Sequence, residues 1–79
     1  MEASEKVKLI YTKYKKMNLN TKEMSQEIGI SSAKVYEMFS QLGERLIIEK
    51  KLLPKWRKVG GTRMWEIEEI IIWNNQYQS

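Results

Sequence analysis

Between residues 50 and 63 this chain carries Lys50, Lys51, Lys55, Arg57, Lys58 and Arg63 and no acid, with Trp56 set among them. Ammonium and guanidinium groups packed this densely bind phosphate oxygens, so a polyanion is their natural counterpart. A second block, Lys6, Lys8, Lys13, Lys15 and Lys16, is equally free of acids; it reads first as the solvated face of a helix. The formal net charge is +4, and the rest of the chain is acidic on balance. Groups for covalent or acid–base chemistry are scarce. There is no cysteine and no histidine, hence no thiolate, no imidazole base and no disulfide. The one carboxylate pair, Glu68-Glu69, sits at adjacent positions that diverge on either a helix or a strand. The chain is expected to be no enzyme and to hold no metal and no cofactor.

The elements that must position the cations can be read in chain order. At 79 residues the chain is expected to form a single domain, residues 1–79, burying about 60–65% of its unfolded surface. Residues 4–17 predict an amphipathic N-terminal helix, with Ser4 as cap and Val7, Ile10, Tyr11, Tyr14 and Met17 on its apolar face. Residues 20–42 predict a helix-turn-helix. Asn20 and Glu23 have capping-box spacing, Leu19 can staple onto Met24, and Met24, Ile28, Ile30, Val35 and Met38 take buried positions. Small Ser25 sits where the two helices approach most closely, Gly29 at the turn, and Ser31 at the next cap. The apolar stripe continues through Leu42 and Leu46, so the second helix is expected to reach about residue 51, either through Gly43 or with a break there. Pro54 bars further helix. Residues 55–66 predict a basic hairpin, a short wing, with strands Trp56–Val59 and Arg63–Glu66 around Gly60-Gly61. Residues 67–77 predict a C-terminal helix rather than a third strand, which would leave an apolar edge exposed. The expected fold class is mainly α with a small β-hairpin, a winged helix-turn-helix.

The pieces Thr21-Lys22-Glu23, Ile28-Gly29-Ile30-Ser31, Val35-Tyr36, Leu53-Pro54, Val59-Gly60-Gly61, Arg63, Trp65, Glu69-Ile70 and Trp73 occur in an order that resembles the excisionase-like DNA-binding domains, relatives of the MerR-type winged helix. The resemblance covers roughly residues 19–74, through short and tolerant motifs. It implies a small phage or mobile-element protein that binds repeated DNA sites, bends DNA and steers a recombinase without catalysing anything itself. Related winged domains serve as phage repressors, hence transcription regulation, and as the DNA-reading end of small terminase subunits. The chain departs from the family where arginines commonly follow the capping serine and the tyrosine: it has Ser32 and Glu37. Serine cannot make a bidentate contact to guanine, and a carboxylate repels phosphate.

The candidate DNA-binding residues follow from this placement. On the recognition helix they are Ser31, Ser32, Ala33, Lys34, Tyr36, Glu37 and Ser40; on and beside the wing, Lys55, Trp56, Arg57, Lys58, Thr62 and Arg63. Ala33 suits a thymine methyl, and Glu37 reads first as a solvated acid and second as an acceptor from a cytosine amine. Tyr36 reads equally as a phosphate contact or a half-buried packing residue. Trp65 and Trp73 are expected in the core, with Trp56 against DNA sugar or under an arginine. A monomer this small cannot cover Ile70-Ile71-Ile72 all round, so Ile70, Ile72 and Trp73 are expected to meet a partner, either a second copy along DNA or a recombinase. The rival reading is a protein-interaction module that binds a phage or host protein through that apolar face. No apolar run approaches a membrane span and MEASEKVK lacks a signal-peptide core, so no membrane association and a cytoplasmic location are expected.

Overall fold

Asn20 opens the part of the chain whose local signals are strongest, and the fold is described outward from it. The computed structural model describes residues 3–77, with side chains from residue 5 onward. Its elements are α1 (Ala3–Tyr14), β1 (Asn18–Leu19), α2 (Thr21–Ile28), α3 (Ser32–Leu42), α4 (Glu44–Lys50), β2 (Arg57–Val59), β3 (Thr62–Glu66) and α5 (Ile67–Tyr77). The chain is mainly helical with one small antiparallel sheet.

The capping box is formed: Glu23 N–H donates to Asn20 Oδ1 at 2.8 Å, and Asn20 N–H donates to Glu23 Oε1 at 3.0 Å. Two of the free amides at the start of α2 are thereby satisfied. The helix ends at Gly29, whose φ of 82° and ψ of 22° lie in the left-handed region, and whose N–H bonds to the Ser25 carbonyl. Two residues later Ser31 Oγ accepts from the Lys34 N–H at 3.1 Å and starts α3. Met24, Ile28 and Val35 are buried as their spacing requires, Ser25 is buried with its hydroxyl donating to the Lys22 carbonyl at 2.7 Å, and Ile30 and Met38 are half-buried.

Upstream, the expected helix is shorter and is followed by a strand. Lys15 takes a φ of 61°, which ends α1 at Tyr14 instead of Met17. The helix also begins one residue before Ser4, whose side chain lies outside the described residues. The chain straightens because β1 pairs antiparallel with β3, Leu19 opposite Trp65, while the Met17 carbonyl accepts from the Ile67 N–H at 3.0 Å. Two paired residues have no periodicity to detect. Val7, Ile10 and Tyr14 pack on the core, whereas Tyr11 and Met17 are exposed.

Downstream, the long second helix breaks. Gly43 has φ 83° and ψ 160°, a region open in practice only to glycine, and α4 restarts at Glu44 in a new direction. Ile47 then reaches the core, Leu46 is half-buried, and Leu42 is exposed. The expected hairpin is present, with Val59 opposite Thr62 around Gly60-Gly61 and Lys58 opposite Arg63. It belongs to a larger sheet than expected, of three strands in the order β1-β3-β2. The C-terminal helix forms over the expected residues, burying Ile67, Ile70 and Ile71.

A side chain at Gly29 would meet no atom within 4 Å, so a substitution there is opposed by the backbone alone. Gly29→Val is expected to lower the unfolding free energy by about 1–2 kcal/mol in urea denaturation, and Gly29→Asn by less, since asparagine tolerates the left-handed region. Equal stability of all three proteins would contradict the strained turn.

Candidate nucleic-acid interface

α3 presents its outward face without cover from the rest of the fold. Ala33, Lys34, Tyr36, Glu37 and Ser40 are exposed, and Ser32 is half-buried. Tyr36 retains 55% of its accessible surface, so it is not the half-buried packing residue of one of its two readings. Glu37 accepts from the Gln41 side-chain amide at 3.3 Å one turn on, so it lies along the helix surface as a solvated acid. The Ser31 hydroxyl oxygen already serves as the cap of α3.

The hairpin cations are arranged differently from the expectation. Arg63 is turned toward the fold: its Nη2 and Nε lie 2.7 and 3.2 Å from Glu44 Oε1, and its guanidinium sits 3.8 Å from the centre of the Phe39 ring. Its side chain is only 26% exposed. Arg63 is therefore a fastening between β3, α3 and α4 rather than a free phosphate contact, because the flat guanidinium can satisfy a carboxylate in plane while stacking on an arene. Lys58 Nζ reaches the same Glu44 oxygen at 2.8 Å. Arg57 lies 3.8 Å from Glu66 and donates weakly to Asn18 Oδ1 at 3.4 Å. Both of these side chains stay more than half exposed, so a phosphate can replace their protein partners. Thr62 is exposed beside the turn.

Trp56 is the second correction. It is half-buried, meets Phe39 edge to face at 5.2 Å and lies 6.0 Å from Trp65. The apolar ring surface gains more from this cluster than from water, and the arginine that stacks on an aromatic does so on Phe39. The third correction concerns the apolar triplet. Ile70 is fully buried and cannot touch a partner, and Trp73 is half-buried with its Nε1 donating to the Lys51 carbonyl at 2.9 Å. Only Ile72 of the three expected contact residues stands well exposed.

Among the described residues, the exposed cations Lys22, Lys34 and Lys55 take part in no ion pair. Lys34 and Lys55 were expected at the interface. Lys22, Phe39 and Glu44 were not. Glu44 had one legible sign, an acid directly after a glycine at a helix start, whereas its bond to Arg63 spans 19 positions and leaves no local pattern. The described residues contain no group of three or more His, Cys, Asp or Glu side chains able to hold a metal, and no helix long and apolar enough to cross a membrane. No protein-family model, no curated protein and no solved structure matches the chain.

Hydrogen bonding from the Lys58 ammonium, then from the Arg63 guanidinium, holds the Glu44 carboxyl below the ordinary glutamate value of 4.5. A carboxylate depressed in the folded state stabilises the fold above its unfolded value, and that stabilisation disappears as pH falls through the lower folded value. Acidification below pH 4.5 is therefore expected to free the hairpin from α4. Glu44→Gln should melt earlier than the parent at pH 7, and the gap between the two should close as the pH is lowered progressively below 4.5. Thermal melts across pH check this, and an unchanged gap between the two proteins would exclude the Glu44 fastening.

Proposed function

We propose that this chain is a winged helix-turn-helix protein that binds double-stranded DNA, with α3 in the major groove and the β2–β3 hairpin along the flanking backbone. The observation that carries the reading is the outward face of α3. It is an uncovered helix of small and polar side chains, Ala33, Tyr36 and Ser40 among them, held to α2 by a left-handed glycine turn and a serine cap. A helix that is not buried on that side can enter a groove about 12 Å wide.

Within this class the chain is an architectural factor of the excisionase kind rather than a strong reader of bases. α3 carries one cation, Lys34, and one acid, Glu37, on its exposed face, so base contacts discriminate weakly and phosphate contacts by Lys34, Lys55, Arg57 and Lys58 supply most of the affinity. Binding to repeated sites and assistance to a recombinase are the role that fits such a balance. Arg63 contributes by aiming the hairpin.

Fluorescence anisotropy of labelled duplexes tests the proposal. Lys34→Ala and Lys55→Ala should each weaken binding to every duplex and lower the salt slope by about 0.9, while Tyr36→Ala should erode preference for a selected site. Glu37→Arg should tighten binding to all duplexes alike, as a repelling charge becomes a phosphate contact. Absence of binding to any duplex at about 50 mM salt, where phosphate-driven association is strong, would overturn the DNA reading.

A further inference from the structure

Three donors converge on a single oxygen of Glu44: Arg63 Nη2 at 2.7 Å, Arg63 Nε at 3.2 Å and Lys58 Nζ at 2.8 Å. One carboxylate oxygen offers about two lone-pair sites, so it is oversubscribed. The two cations are not held alike. Arg63 also stacks on the Phe39 ring and its side chain is 26% exposed, whereas Lys58 is 51% exposed and has no ion-pair partner besides Glu44 among the described residues. Arg57, one residue earlier, lies 3.8 Å from Glu66 and 3.4 Å from Asn18 Oδ1, and has no comparably short bond to surrender. Lys58 is the donor that can leave Glu44 at least cost.

We propose that Glu44 is an internal competitor for the DNA backbone: in the free chain it holds Lys58, and on a duplex Lys58 passes to a phosphate while Arg63 stays on Glu44 and Phe39. The inference rests on the DNA reading and gives that interface a built-in restraint. Glu44 stands two residues after the end of α3, and Lys58 lies opposite Arg63 in the hairpin, so the exchange links the groove-entering helix to the strands beside it. Carboxylate and phosphate oxygens are the same kind of acceptor for an ammonium, and their like charge opposes sharing it. The apparent affinity for DNA is then reduced by the fraction of molecules in which Lys58 is engaged. An exposed pair of this kind is weak, so the restraint amounts to about twofold to fivefold. Arg63, which does not leave, keeps the hairpin aimed throughout.

The experiment compares the parent, Glu44→Gln, Lys58→Ala and the double variant for binding to a labelled duplex at neutral pH, with circular dichroism confirming that each is folded at the temperature used. Glutamine keeps an acceptor for Arg63 but removes the charge that retains Lys58. Glu44→Gln should bind about twofold to fivefold more tightly than the parent, with the same salt slope, since Lys58 reaches phosphate in both complexes. In the Lys58→Ala background the same substitution should leave affinity nearly unchanged. Equal gains in the two backgrounds would mean that Glu44 merely repels phosphate, which would overturn the exchange and leave the DNA reading standing. A second measurement needs only the parent: on addition of duplex the Lys58 Nζ resonance in nitrogen NMR should shift while the Arg63 Nε resonance stays in place. A stationary Lys58 signal or a displaced Arg63 signal in the DNA-bound chain would also overturn the exchange alone. Failure of both the parent and Glu44→Gln to bind any duplex would overturn the DNA reading, and the exchange with it.

Discussion

Trp65 must be buried and its indole N–H must be bonded, and the remaining structure is arranged so that both conditions hold. It lies on β3, the central strand, which pairs with β1 on one edge and β2 on the other. The ring is fully enclosed and its Nε1 donates to the Pro54 carbonyl at 3.0 Å. Through this residue the segment before α2, the segment after α4 and the start of α5 are held at one point. A buried tryptophan whose N–H found no acceptor would lose about 1–3 kcal/mol, so the Leu53-Pro54 corner is as necessary to the core as the ring itself.

A second constraint sets the hairpin relative to α3. Arg63 stacks on Phe39 from α3 and bonds Glu44 from α4, and Lys58 on the neighbouring strand bonds the same carboxylate oxygen. One acid thus faces two cations of the hairpin, which lowers the charge the hairpin offers to a polyanion while fixing its direction. Arginine suits this position where lysine would not, since only a planar guanidinium stacks and bonds at once. Near the outward face of α3 and the hairpin, Lys34 and Lys55 are exposed cations that take part in no ion pair among the described residues.

Much of the fold was legible because its signals are local. The capping box at Asn20 and Glu23, the left-handed turn at Gly29, the Ser31 cap and the Gly60-Gly61 hairpin each depend on residues within a few positions of one another. The strand β1 was not legible, since Asn18 and Leu19 are extended only by virtue of a partner nearly 50 positions away. Trp56 and Arg63 were misplaced for a related reason. A basic run with an aromatic inside it has the same composition whether its side chains face water or the core, and the direction depends on Phe39 and Glu44 standing nearby. Of the candidate interface, the face of α3 was readable from helical spacing, whereas the division of the hairpin cations into free and fastened was not.

Hydrophobic periodicity, caps and turn glycines suffice to set α2, α3, the hairpin and α5, because each stabilises its element before any distant contact forms. Periodicity could not choose among Ile70, Ile71 and Ile72, which are equally apolar. Packing against α1 and β3 encloses the first two and leaves the third on the surface. The break at Gly43 is of the same kind: glycine permits the unusual backbone, but the need to bring Ile47 into the core and Glu44 to Arg63 is what uses it. Burial and ion pairing between remote segments are properties of the assembled chain, and they decide which cations remain free to act.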